Sequence, residues 1–298
     1  MFRVRRLLAP FVLCIALLFS EAQAFTIAWL SDTQNYHNAY KPIFDGMTQW
    51  IADNREALDI RFVFHTGDVV GSWSSEDQWR QARESMDILS IASIPFLTVC
   101  GNHDIGYRMN YANFLKYVLS LRPASMSQEY GDTGSRYELF SANGRDYIFM
   151  GIAFSNRGPS EDEVNWINGV LRQYSSRDAI IITHSYLKKS AAYTTQGKAI
   201  FEKIVKANPN VFLVLCGHCR DISEKSVQLD DDGDGDPDRT VYAILSNFQG
   251  GKAGGGGYMR ILDFRDSDIY IYTYSPYYDS CEYPKYPKGK TEATVPLP

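Results

Sequence analysis

Histidine and cysteine are scarce in this 298-residue chain, five of each, and Lys and Arg never gather into a long run. The formal net charge is −5. A basic surface that neutralises phosphates is therefore not expected, and neither is nucleic acid as a partner. Past the N-terminus no apolar stretch is long enough to span a bilayer, so no membrane span is expected in the remainder. There is no internal repeat and no Pro/Ser-rich linker. With 45% hydrophobic and 22% charged residues, the chain reads as one globular domain with a large core. Nothing in the sequence indicates an oligomeric state.

The N-terminus has the pattern of a secretory signal. Arg3, Arg5 and Arg6 precede an apolar stretch from Leu7 to Phe19, and Ala22-Gln23-Ala24 places small residues before a cleavage point. Cys14 follows Leu13 rather than a small residue, which argues against lipid modification. The expected organisation is a signal peptide over 1–24, a domain over 25–276 and a proline-rich surface tail over 277–298, with the mature protein secreted or periplasmic. An oxidising compartment permits disulfides. Of Cys100, Cys216, Cys219 and Cys281, the first two end apolar runs and read as buried thiols. Cys219 and Cys281 lie in polar surroundings and form the favoured pair.

Five apolar runs share one feature: each ends in polar, chemically capable residues. Ile27–Leu30 leads into Asp32-Thr33-Gln34, Phe62–Phe64 into Gly67-Asp68, and Phe96–Val99 into Gly101-Asn102-His103-Asp104. Ala179–Ile182 leads into Thr183-His184, and Val211–Leu215 into Gly217-His218. Such runs read as buried strands. Helical spacing is expected over Ile43–Ala57, Glu76–Ile91, Ser160–Tyr174 and Thr195–Ala207. This alternation predicts an α/β layered fold with the polar strand ends on one rim. Residues 227–229, 241–245, 258–264 and 269–274 read as antiparallel strands of a second sheet.

Asp32, Asp68, Asn102, His184 and His218 offer oxygen or imidazole donors, a mixture that suits Zn, Mn or Fe rather than a thiolate site. A two-metal site needs one carboxylate that bridges ions ~3.5–4 Å apart, and Asp68, between Gly67 and Val69-Val70, is the natural bridge. Divalent ions so held generate a nucleophile from water near neutral pH and take up charge on phosphoryl oxygens.

In order and spacing, these five motifs resemble those of the calcineurin-like metallophosphoesterases, from about Phe25 to Pro276. The resemblance implies a four-layer α/β/β/α sandwich of two mixed sheets and hydrolysis of a small phosphate mono- or diester. It implies that Asp68 bridges two metals, that Asn102, His184 and His218 complete one position, and that Asp32 and Gln34 belong to the other. Asn102 would also contact substrate. His103 resembles the family's general acid, with Asp104 orienting its ring.

Two positions depart from the commonest family pattern. Gln34 stands where many members have His, and Arg220 stands where a second His usually follows His218. Guanidinium cannot ligate a metal, so one strong and one weakened metal site are expected. Arg220 is free to hold a substrate phosphate, with Asp221 the alternative as a substitute ligand. Elsewhere, Asp230, Asp232, Asp234 and Asp238 alternate as in short calcium loops, without the final Glu of an EF-hand. Two other readings stay open: a secreted non-catalytic metal- or phosphate-binding protein on this fold, and a calcium-dependent surface module.

Overall fold

The computed structural model describes residues 24–121, 127–286 and 291–298. The signal expected at the N-terminus lies, apart from Ala24, outside them. None of the described helices is long and apolar enough to cross a membrane.

The strands are β1 (Phe25–Leu30), β2 (Ile60–His65), β3 (Phe96–Thr98), β4 (Ser127–Tyr130), β5 (Ser135–Ala142), β6 (Arg145–Ile152), β7 (Asp178–Thr183), β8 (Val211–Cys216), β9 (Asp221–Leu229), β10 (Arg239–Asn247), β11 (Met259–Phe264), β12 (Asp268–Tyr274) and β13 (Ala293–Pro296). The helices are α1 (Lys41–Asp53), α2 (Glu76–Ile91), α3 (Ala112–Tyr117), α4 (Glu161–Gln173) and α5 (Thr195–Ile200), the last continuing as a π-helical turn over Phe201–Val205. Capping sets several starts. Ser75, Ser160 and Thr194 accept bonds from the backbone N–H of Gln78, Glu163 and Gly197, three residues into α2, α4 and α5. Acidic first turns in α2 and α4 complement the helix dipole. Helix α1 ends at Asp53, short of the expected Ala57, where the Asn54 side chain donates to the Trp50 carbonyl and the chain turns.

Two mixed sheets form. One has the order β13-β12-β11-β1-β2-β3, the other β4-β5-β6-β7-β8-β10-β9. Strand alternation sorts side chains into three cores. In β1, Ile27 and Trp29 face the space between the sheets, whereas Ala28 and Leu30 face α1 and α2. In β7, Ile180 and Ile182 join the inter-sheet core, and Ala179 and Ile181 pack under α4 and α5. The layers are therefore α/β/β/α. Phe62, Phe64 and Phe149 meet edge-on in the central layer at 4.8–5.0 Å. Each such buried ring contributes about 1.5–3 kcal/mol.

The C-terminal strands do not make a sheet of their own. β9 and β10 extend the sheet of β8, whereas β11 and β12 extend that of β1. The chain crosses between sheets at residues 248–258, over the rim. The first sheet also continues beyond residue 276, because β13 pairs antiparallel with β12. The favoured disulfide is not formed: Cys100 and Cys216 are buried, Cys219 is half-buried and Cys281 exposed.

Candidate metal centre

Six strands deliver polar residues to one rim. Asp32 follows β1, Asp68 follows β2, Asn102 and His103 follow β3, His184 follows β7, His218 follows β8 and Gln249 follows β10. Asp32, Asp68 and His218 have φ of 51°, 54° and 69°, left-handed conformations that turn each side chain back over the strand ends. Non-glycine residues held there concentrate at functional sites. Close approach explains two motif glycines. A Cβ on Gly101 would collide with the Asp68 carboxylate, and one on Gly217 with that of Asp32.

His184 is the hub. Its Nδ1 lies 2.8 Å from the Thr66 carbonyl, which fixes an Nδ1–H donor and leaves Nε2 for the site. Around that Nε2 stand Asn102 Oδ1 at 3.1 Å, His218 Nδ1 at 3.1 Å and Asp68 Oδ2 at 3.3 Å. Tetrahedral ligation at roughly 2.0–2.1 Å needs donors about 3.3 Å apart. The four donors therefore fit a divalent ion.

The second position is less complete. Asp32 is held by the Ser31 hydroxyl and by the His218 N–H, 3.2 Å from each carboxylate oxygen. Gln34 Nε2 donates to Gln249 Oε1 at 2.6 Å. Gln34 Oε1 is buried without a hydrogen-bond partner among the described residues, an acceptor that a cation would satisfy. Arg220 is exposed, and its Cδ lies 3.6 Å from where a Cβ on Gly250 would sit. Asp221 cannot substitute for the missing His. Its Oδ2 meets Lys189 Nζ at 2.7 Å and Lys285 Nζ at 2.9 Å, and Oδ1 accepts the Ile222 N–H. Burial opposes ionisation of Asp221, but the two ammonium groups hold it below the usual carboxylate range.

The cluster's own protonation is strongly perturbed. Burial disfavours charge on His184, yet Asp68 and Asp32 outweigh it and raise the imidazole to about 9. Burial, reinforced by Asp68, pushes Asp32 up to about 7. Burial and repulsion from His184 bring His218 down to about 4 and His65 to about 3. His65 is a core histidine, bonded to the Thr33 hydroxyl at 3.0 Å and the Gly67 N–H at 3.1 Å. Metal and protons thus compete for His184 Nε2 and Asp32. Metal affinity is expected to rise about tenfold per pH unit between pH 7 and 9, where one proton is displaced, and more steeply below 7, where Asp32 also releases one. Calorimetric titration with Zn or Mn in buffers of different ionisation enthalpy would count those protons.

Asp104 does not orient His103. Its Oδ1 accepts the N–H groups of Val69 and Val70 at 2.8 and 3.0 Å, and Oδ2 that of Gly101 at 2.7 Å. Three buried amides need an acceptor, and Asp104 staples the two motif loops together. The ring of His103 is held by the Gly71 carbonyl, 2.9 Å from Nδ1, which makes Nδ1–H the donor and leaves Nε2 for other partners. The His103 N–H in turn donates to Asp68 Oδ1 at 2.9 Å.

Gln249 escaped the sequence reading. Its amide spans Gln34 and Asp32, and Asn247 supports it by accepting its N–H and donating to the His218 carbonyl. The signal was present: β10 is a sixth apolar run that ends in polar residues, Ser246-Asn247-Phe248-Gln249. Far from the rim, Asp230, Asp232 and Asp238 bring oxygens within 4.8 Å of one another, whereas Asp234 accepts the Asp236 N–H. That loop is exposed and closes on itself through bonds such as Gly233 N–H to Asp230.

Comparison with known proteins agrees with this geometry. Residues 25–219 match the family model of the calcineurin-like phosphoesterases. An uncharacterized protein of Bacillus subtilis (strain 168), YvnB, is 41% identical over 259 residues. That match covers 85% of this chain and 20% of YvnB, so the chain spans about one fifth of this relative's length. A dimetal phosphatase from Danio rerio superposes with a TM-score of 0.61 at 13% identity, covering 91% of this chain and 98% of its own. The purple acid phosphatase PPD1 from yellow lupin seeds gives 0.58 at 13% identity, covering 92% and 54%. GAP50, an anchor in the inner membrane complex of Plasmodium, gives 0.59 at 14% identity, covering 92% and 89%. With the motifs in order, the sandwich formed and the donors converged on its rim, this chain belongs to the calcineurin-like phosphoesterase family.

Proposed function

We propose that the chain is an exported metal-dependent phosphoesterase that cleaves a phosphate mono- or diester. The carrying observation is the convergence of Asp68, Asn102 and His218 on His184 Nε2, with His103 bonded through its backbone to the same Asp68. Export rests on the N-terminal Arg, apolar and Ala22-Gln23-Ala24 pattern.

Divalent cations supply a nucleophile at neutral pH and neutralise charge on phosphoryl oxygens. Asp68, Asn102, His184 and His218 would hold the first ion, and Asp32 and Gln34 the second, with Asp68 shared. Asn102, half-buried at the rim, is placed to donate its amide to a phosphoryl oxygen. Exposed Arg220 approaches the phosphate from solvent and offers a bidentate contact. His103, with Nδ1 fixed by Gly71, delivers a proton from Nε2 to the leaving oxygen. Paired assays on a generic phosphomonoester and phosphodiester test the reading. Hydrolysis of neither by metal-loaded protein would refute it.

Because Arg220 replaces a ligand and Asp221 is held by lysines, purified protein is expected to carry nearer one ion than two. Arg220→His should raise second-ion occupancy, and Gln34→Ala should lower it while sparing the first. Elemental analysis per chain checks all three. A second reading, a non-catalytic binding protein, draws on the Arg220 departure and on GAP50, an anchor with this fold. The anchored His103 ring favours the enzyme, since an anchor has no use for a proton donor there.

A further inference from the structure

Beside the metal centre lies a cleft of about 720 Å³ that none of the roles above uses. Its size falls within the roughly 300–1,000 Å³ of pockets that hold small organic molecules. One wall is the glycine-rich crossover between β10 and β11, the other the tyrosine-rich segment after β12. Gln249 has its amide in the metal centre, and the next two residues, Gly250 and Gly251, already line the cleft. The cleft therefore begins one residue along the chain from Gln249, and at Gly250 it adjoins the Arg220 side chain, proposed above as a phosphate contact.

The glycine wall is held in place. The Gly257 N–H donates to the Tyr36 hydroxyl at 2.8 Å, the Ser275 hydroxyl donates to the Gly256 carbonyl at 2.6 Å, and the Gly251 N–H donates to the Phe248 carbonyl at 2.9 Å. Residues 253–257 all have positive φ. A Cβ on Gly255 would strike the Tyr36 hydroxyl, and one on Gly256 the ring of Tyr278. The loop is thus fitted closely between two tyrosines.

The facing wall is aromatic. Tyr283 packs edge-on against Phe248 and Tyr258, each at 4.9 Å between ring centroids, and forms a rigid floor. Tyr278 is 44% exposed and presents ring surface to the cleft. The Lys252 ammonium and the Tyr283 hydroxyl line the cleft and have no hydrogen-bond or ion-pair partner among the described residues. Aromatic walls with a few unused polar groups are the composition of a ligand site.

We propose that this cleft is the subsite for an aromatic ring carried by the phosphate ester, and that Tyr278 is its specificity-determining residue. The inference rests on the phosphoesterase reading for the position of the phosphate. The ring stacks on the part of Tyr278 that faces the cleft, beside the edge that packs on Gly256, and Lys252 faces any carbonyl or anionic substituent on it.

Calorimetry on the metal-loaded chain with 1-naphthylphosphonate and methylphosphonate, two non-hydrolysable probes with the same anion, provides the test. The naphthyl probe is expected to bind about tenfold more tightly, as a stacked and buried ring provides. Tyr278→Ala, at an exposed position, should reduce that gain to about threefold or less. It should leave methylphosphonate affinity and metal content unchanged. Equal binding of the two probes to the wild type, or an equal loss of both in Tyr278→Ala, would overturn the assignment. The two readings fail separately. Hydrolysis without ring preference retains the phosphoesterase and removes the subsite, whereas Tyr278-dependent ring binding without any hydrolysis does the reverse.

Discussion

Asp68→Ala is expected to empty the metal centre and abolish turnover. Asp68 lies 3.3 Å from His184 Nε2, accepts the His103 N–H, and is the carboxylate placed to serve both ion positions. Its removal takes a ligand from each ion and leaves His184 without its nearest counter-charge. Changes outside a metal's ligand shell alone cost 10–100-fold in affinity. Loss of a shared ligand should therefore weaken binding by more than ~100-fold. Elemental analysis and equilibrium dialysis would measure it. Retention of a full metal complement would show that Asp68 is not a ligand.

His103→Ala should separate chemistry from binding. The ring is bonded to Gly71 and is not one of the four donors Asp68, Asn102, His184 and His218, so metal content should stay at the wild-type level. Turnover should fall ~10²–10⁴-fold, the usual worth of a placed acid. The loss should be largest for esters with poor, alkoxide leaving groups, which need a proton, and smallest for nitrophenyl esters, whose anions leave without one. A deficit of the same size for both leaving groups would assign His103 to phosphate binding instead of proton transfer.

Much of this arrangement was legible in the sequence because five buried strands run abruptly into metal-capable residues. Ile27–Leu30 before Asp32, and Ala179–Ile182 before His184, announce both the strand and its cargo. Helices α2 and α4 were equally plain from the helical spacing over Glu76–Ile91 and Ser160–Tyr174. What escaped depends on contacts between distant segments. Strand β5 carries Arg136 and Glu138 amid its apolar residues and shows no clean alternation. Strand β13 is four residues in a proline-rich tail and exists by pairing with β12. The division of β9–β12 between two sheets is set by the crossover at the rim, which periodicity does not encode.

The site shows the same boundary. Residue type identified His103 and Asp104 as chemically capable, but their roles depend on what surrounds them. Three amides from two loops claim Asp104, and the carbonyl of Gly71, in the first of those loops, claims His103. Asp221 looked available as a ligand until Lys189 and Lys285, distant in sequence, closed on it. Gln249 is a neutral amide of a type common at surfaces, and only the β10 register brings it to Gln34 and Asp32. That Cys219 and Cys281 form no disulfide shows likewise that polar surroundings do not make a pair.

The central claim is that four donors centred on His184 hold an ion on which phosphate-ester hydrolysis depends. Its most direct test is one chelation cycle on the purified protein. Metal content and hydrolysis of a phosphomonoester and a phosphodiester are measured before chelation, after it, and after Zn, Mn or Fe is returned. Activity should disappear with the bound ion and return in proportion to occupancy of the first site. Hydrolysis that persists in fully stripped protein, or an ion that rebinds equally well to His184→Ala, would contradict it.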